Sequence, residues 1–252
     1  MADNSQQLLN DVLAQQRQEL EPASSDQDYF EVFCAGQILK DYTLSYDEIH
    51  DGIVDGEHDG GVDSVYAFVN GDLILEDFDV SSFKKDVKIE LNIIQSKTSG
   101  GFSETPINRL IPVTRHLLKL NANYDELSQY NSAVKAVLDN FRRTYRALAA
   151  RFPVLHINYY YASKKADAQV HANLATKADE LKQVALDLFP DAQVKFEFLG
   201  AKRLLELARQ RPKTTYELRV SKSLSAANNL VVLFIFERLC GVFASLRWAS
   251  AF

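Results

Sequence analysis

The residue types that stand out for chemistry are "DGGVD" at 59–63 and "QSK" at 95–97, with Glu31 further upstream. A hard divalent cation wants oxygen ligands: carboxylates, carbonyls and water. Asp63 offers a carboxylate, Gln95 a side-chain carbonyl and Ser96 a backbone carbonyl. A Mg2+ or Mn2+ ion held there would polarise a phosphate and lower the pKa of a bound water. Lys97 would orient that water, accept its proton or steady the negative charge that develops on the phosphate. Glu31 would hold a second water or a second metal. Gly60 and Gly61 would let backbone approach a substrate phosphate closely, and Thr98 would add a further phosphate contact. The chemistry is phosphodiester hydrolysis, with DNA as the expected substrate and RNA left open.

These residues need elements to position them. Side chains on a strand alternate faces, so Gln95 and Lys97 share a face with Leu91 and Ile93, and Asp63 shares one with Val65, Ala67 and Val69. "VDSVYAFV" alternates as a strand, "NG" at 70–71 is a hairpin turn, and "DLILEDF" is the expected returning strand. "VKIELNIIQSK" is a more continuously apolar and therefore more central strand. Pairing of these strands would bring Asp63 and Gln95 to one end of a sheet. In "DYFEVFCAGQILKDY", Phe30, Phe33, Cys34 and Ile38 recur at helical spacing, with Glu31 at the rim of that stripe. Ser25 or Asp26 can cap this helix.

The remaining order extends the pattern. Residues 5–20 read as a polar helix. The acid-rich stretch 47–61 reads as a loop. "SETPINRLIPVTRHLLKL" and "YDELSQYNSAVKAVLDNFRRTYRALAARF" read as helices, with Pro106 suited to a first turn and Pro112 expected to kink or interrupt. "VLHINYYYAS" is a strand, and helix, strand, helix and strand follow through "TTYELRVS". The fold class is therefore α/β.

The combination of an Asp at a strand start and a following strand that ends in Gln-x-Lys resembles the PD-(D/E)xK nuclease superfamily in its Mrr-like glutamine form. The closer resemblance is to the N-terminal part of the AIPR family of abortive phage infection proteins. It rests on "YFEVFCAGQILKDYTLSYDEIHDGIVDGEHDGGVDSVYAFVNGD" and "LNIIQSK", and extends less distinctly to about "YELRVSKSLSAANNLVVL". The resemblance implies a restriction-endonuclease-like αβββαβ core with a mixed central sheet flanked by helices, plus further helix–strand units. It places the active-site residues on Asp63, Gln95 and Lys97, with Glu31 as the helix glutamate. It implies a Mg2+-dependent DNA endonuclease acting in phage defence. Two departures stand out: Ser64 replaces the usual Gly after the Asp, and members of the family run longer than this chain. The expected division is a helical extension over 1–26, a nuclease core over 27–165, an α/β extension over 166–222 and an apolar tail over 223–252.

Rival readings fall on residue type. Asp55, Glu57, Asp59 and Gly60 fit the first half of an EF-hand loop, but its twelfth position is Tyr66 where a Glu is needed. Asp47, Glu48, Asp51, Asp55 and Glu57 are left as a solvated loop. The five histidines are scattered, and no phosphate loop, dinucleotide fingerprint or zinc-protease motif occurs. Tyr159, Tyr160 and Tyr161 read as packing residues of a strand ahead of a base-stacking platform.

The composition of the 252 residues is 46% hydrophobic and 25% charged, ordinary for a globular chain. Its net charge of −6 argues against attachment to nucleic acid by bulk charge alone. A nuclease remains compatible with it, because a metal site is itself acidic. Cys34 and Cys240 make neither a disulfide framework nor a metal pattern, so a reducing cytoplasm is expected. No signal peptide is read at the start. Glu237 and Arg238 interrupt the apolar tail, so no membrane partner is expected. A duplex cut would need a homodimer or two sequential nicks. The competing functional reading is a nuclease-like binding or assembly module without activity.

Overall fold

The computed structural model describes residues 4–165 and 170–212, and the backbone of 220–226 and 229–234. The chain divides into two units, Met1–Pro212 and Lys213–Phe252.

The first unit is built on one five-stranded sheet in the order β2-β1-β3-β4-β5. Strand β1 is Ser64–Val69, β2 Asp72–Leu73, β3 Lys88–Lys97, β4 Val154–Ser163 and β5 Gln193–Leu199. β1 runs antiparallel to both β2 and β3, while β3, β4 and β5 are mutually parallel. The sheet is thus mixed and β3 is its middle strand, in keeping with the apolar run of "IELNII". Buried Asn92 and Asn158 face each other across the β3–β4 pair, with Asn158 Nδ2 donating to Asn92 Oδ1 at 3.0 Å.

Alternation along the strands separates two apolar faces. Val65, Ala67, Val69, Leu91, Ile93, Ile157, Tyr159 and Tyr161 pack with helices α4 (Glu104–Leu117), α5 (Ser132–Ala147) and α6 (Ala172–Leu188). Tyr66, Phe68, Ile94 and Ala162 face the other way. They join residues of α1 (Asn4–Leu20), α2 (Asp26–Ile38) and α7 (Ala201–Arg209). Helices therefore cover both faces of a mixed sheet, an α/β architecture. Tyr159 and Tyr161 are fully buried, so these two belong to the core as expected. The segment 1–26 contributes Leu9 and Leu13 to the cluster that α2 and α7 share.

The N-terminus of α2 is capped as its sequence predicts: the Ser25 hydroxyl accepts from the Asp28 N–H. Four local expectations are corrected. The returning strand β2 is only two residues long, because the chain leaves the sheet edge after Leu73. The acid-rich stretch is not all loop: Tyr46–Asp51 is a short helix, α3, closed by a capping box between Ser45 and Glu48. Pro112 neither breaks nor ends α4; it is only half-buried, so the carbonyl it leaves unpaired is near solvent. The helix expected from Tyr124 begins at Ser132 instead, where Asn131 caps it by accepting from Val134 N–H.

In the second unit, β6 (Val220–Ala226) pairs antiparallel with β7 (Asn229–Phe234). Most of the strand expected from "TTYELRVS", and the tail beyond residue 234, lie outside the described residues. No helix among the described residues is long and apolar enough to cross a membrane.

Candidate metal centre

The centre lies where β1 begins and β3 ends. Their antiparallel register puts Ser64 opposite Ile94, so Asp63 sits beside the Gln95–Lys97 end. Backbone bonds fix Asp63 further: its N–H donates to Ile94 O at 3.0 Å, and its C=O accepts from Val54 N–H at 2.8 Å. This second bond, with the bridge between Ile53 and Ser64, holds the chain entering Asp55 alongside Asp63. Helix α2 brings Glu31 in from its own face of the sheet.

Carboxylate oxygens of Glu31, Asp55 and Asp63 all lie within 4.8 Å of one another. Glu31 and Asp63 are buried and Asp55 is exposed. Burial, followed by the Asp63 and Asp55 charges, pushes the Glu31 carboxyl up to about 8. Burial pushes Asp63 up to about 7 in spite of hydrogen bonds from the Ser96 backbone N–H and hydroxyl, which pull the other way. Asp55 is raised too, by burial and then by its hydrogen bond with Asp59. Three acids gathered this closely strain against full ionisation. A bound divalent cation would relieve that strain, and three carboxylates are the hard oxygen donors that Mg2+ or Mn2+ takes. The donor set fits such an ion.

Asp63 is the most heavily bonded member. Ser96 donates to it from its backbone N–H and from its hydroxyl, the latter at 2.8 Å. Gln95 Nε2 donates to both of its oxygens, at 3.0 and 2.9 Å, and also to the Ser96 carbonyl at 2.9 Å. Both neighbours are acceptors, so the network itself requires nitrogen on that side. Gln95 therefore presents its amide nitrogen to Asp63, where the sequence reading had its carbonyl facing a metal. Its Oε1 lies on the Gly61 side, 3.4 Å from where a Cβ on Gly61 would stand. Glu31 accepts from Gln27 Nε2 at 3.3 Å. Lys97 is half-buried and its ammonium makes no hydrogen bond or ion pair among the described residues.

The structure brings Glu31, Asp63, Gln95 and Ser96 together around one point, with Lys97 one strand position beyond. Gly60 and Gly61 have φ of +72° and +80°. A Cβ on Gly60 would stand 2.3 Å from Val113 Cγ2, and one on Gly61 2.9 Å from Arg109 Cβ, so both glycines are needed for the loop to pack on α4. Thr98 is half-buried just past β3. Asp55 is the residue that the sequence reading missed. Its acid-rich surroundings suggested a solvated loop, and only the pairing of 53–54 with 63–64 singles it out.

No protein-family model, curated protein or solved structure matches this chain.

Proposed function

We propose that this chain is a metal-dependent endonuclease that hydrolyses phosphodiester bonds of DNA. The observation that carries the reading is the convergence of Glu31, Asp55 and Asp63 within 4.8 Å, at the end of a strand that also supplies Gln95 and Lys97. Glu31, Asp55 and Asp63 would hold Mg2+ or Mn2+. The ion when bound supplies Lewis-acid polarisation of the phosphate and a more acidic water.

The chain's own residues do the rest. Ser96 aims and steadies the Asp63 carboxylate through two hydrogen bonds. Gln95 holds Asp63 and the Ser96 carbonyl in fixed relation. Lys97, uncommitted to any acid among the described residues, donates to the phosphoryl oxygens as they gain charge, or in its neutral form orients the attacking water and accepts its proton. The resemblance of "DGGVDS" and "IIQSK" to the glutamine form of PD-(D/E)xK nucleases, and of the longer stretch to abortive-infection proteins, supports a role in phage defence. Such a role belongs in the cytoplasm, where the buried free thiol of Cys34 stays reduced.

Two features favour the enzyme over the inactive module: Asp63 and Gln95 converge, and no acid among the described residues engages Lys97. The test is cleavage of supercoiled plasmid with Mg2+, Mn2+ or EDTA, wild type beside Lys97→Ala. Metal-dependent nicking by the wild type and none by the variant is expected. Equal cutting by both would sink the mechanism, and no cutting by folded wild type would sink the activity on DNA.

A further inference from the structure

The whole chain carries a net charge of −6, yet one helix face gathers uncommitted cations. At 100° per residue, Arg109, Pro112, Arg115 and His116 of α4 fall within an arc of about 120°. Lys119 follows just past the helix end. Arg109, Arg115 and Lys119 are exposed, and their side chains make no hydrogen bond or ion pair among the described residues. The opposite face of α4, with Ile107, Leu110 and Leu117, is buried in the core, so the basic face cannot turn inward.

Both ends of this face meet a recognisable feature. At one end, Arg109 Cβ and Cδ lie 2.9 and 3.1 Å from where a Cβ on Gly61 would stand, and Gln95 Oε1 lies 3.4 Å from the same point. The Arg109 stem thus passes directly beside the metal centre. At the other end is an open groove of about 610 Å³, where Arg115, His116, Lys119, Asn121 and Asn123 stand beside Leu127 and Leu188. His116 is held there by Tyr130, with Nδ1 2.9 Å from the phenol oxygen. Besides the acids of the metal centre, two acids stand at the extremes: Glu104 opens the helix, and Glu126 borders the groove and accepts from Asn123.

We propose that this face of α4 is a track for the phosphate backbone of a nucleic-acid strand, with Arg109, Arg115 and Lys119 contacting phosphates and Arg109 delivering the strand to the metal centre. At 1.5 Å per residue, Arg109 and Lys119 are about 15 Å apart along the axis. That distance spans about four phosphates of one B-form strand. Binding along the track stands on the α4 surface alone; delivery for cleavage rests on the nuclease reading above. DNA and RNA share the phosphodiester backbone that the track would hold.

The test measures binding by fluorescence anisotropy across a salt series in EDTA, with labelled single-stranded DNA, duplex DNA and RNA of one length. Wild type is compared with the triple variant Arg109→Ala/Arg115→Ala/Lys119→Ala and with a charge-matched control, Lys84→Ala/Lys85→Ala/Lys202→Ala. The expected result is a Kd raised about tenfold or more near 0.1 M salt for the triple variant alone, with the log–log salt slope shallower by about two to three. Its melting temperature should match the wild type, because the three side chains are exposed. The rank of the three probes identifies the strand type. An unchanged Kd and slope in the triple variant, or no binding of any probe by wild type, overturns the track. Plasmid cleavage separates this from the nuclease reading: a wild type that cuts but loses nothing in the triple variant refutes only the track, and one that binds through the track without cutting refutes only the nuclease.

Discussion

Gln95 Nε2 lies 3.0 and 2.9 Å from the two carboxylate oxygens of Asp63, and the same nitrogen reaches the Ser96 carbonyl. An uncharged amide thus supplies a donor to Asp63, beside the two hydrogen bonds from Ser96. A glutamate at position 95 would remove that donor and add a fourth acid. Gln95→Glu is expected to lower stability in EDTA by about 1–3 kcal/mol, the cost of an acceptor left unpaired in a buried site. With Mn2+ the variant should regain most of the loss, because the added charge favours the cation. Thermal melts with and without Mn2+ would show this; an equal melting temperature in EDTA would contradict it.

Asp63 and Lys97 should separate binding from chemistry. Asp63→Asn is expected to weaken Mn2+ binding at least tenfold by calorimetry, since it removes the acid that Ser96 and Gln95 orient. Lys97→Ala is expected to leave Mn2+ affinity within about twofold and to reduce cleavage about 100-fold or more, the scale for loss of one charge-stabilising donor. Loss of metal binding in Lys97→Ala would place that lysine in the structure of the site instead of in its chemistry.

The raised carboxyls of Glu31, to about 8, and Asp63, to about 7, predict a definite pH response. The folded state holds protons there that the unfolded chain has already released, so metal-free stability falls as pH rises from about 4 to about 8. Added Mg2+ or Mn2+ competes with those protons. Its stabilisation should therefore be large at pH 8, small at pH 5.5, and accompanied by proton release. Chemical denaturation at several pH values, with EDTA and with Mn2+, checks both halves. A metal-free stability that rises across this window would refute the crowding of the acids.

The glycine loop gives a steric comparison. Gly60 and Gly71 both have positive φ, but a Cβ on Gly60 would meet Val113 at 2.3 Å while one on Gly71 meets nothing within 4 Å. Gly71→Ala should cost about 1 kcal/mol, the price of a left-handed alanine, and Gly60→Ala should cost clearly more because α4 must also move. Equal losses in urea unfolding would mean that the loop, and with it Asp63, is not wedged against α4.

Much of this site was legible in the sequence because strand period is rigid. Alternation alone put Gln95 and Lys97 on the face of Leu91 and Ile93, and "NG" placed the turn that makes β1 antiparallel. The capping serine at 25 and the middle position of β3 followed from residue type. What escaped the sequence depended on contacts between distant segments. Asp55 joins Asp63 only through the pairing of 53–54 with 63–64. The orientation of the Gln95 amide depends on which atoms surround it. Glu31, expected at a rim, is only 4% exposed, because the approach of α2 to the sheet is a tertiary fact. Pro112 sits inside α4 because the loss of one hydrogen bond at a half-buried position is tolerable within a helix otherwise held by its apolar face.

The facing amides of Asn92 and Asn158 act on β3 and β4 as a key acts on two sliding bars. Alternation of apolar side chains forbids a slip of one residue, which would turn every core residue outward. It is indifferent to a slip of two, which keeps each face intact. The asparagine pair breaks under either slip: a shift of two would set Asn158 against Glu90 and Asn92 against Tyr160, or Asn158 against Ile94 and Asn92 against His156. Replacing both by valine should keep the fold and admit a second register, visible as doubled amide resonances along β3 and β4; a single set of peaks would show that other contacts hold the alignment. Since β3 carries Gln95 and Lys97 at its end, the two buried amides help set how far that end projects.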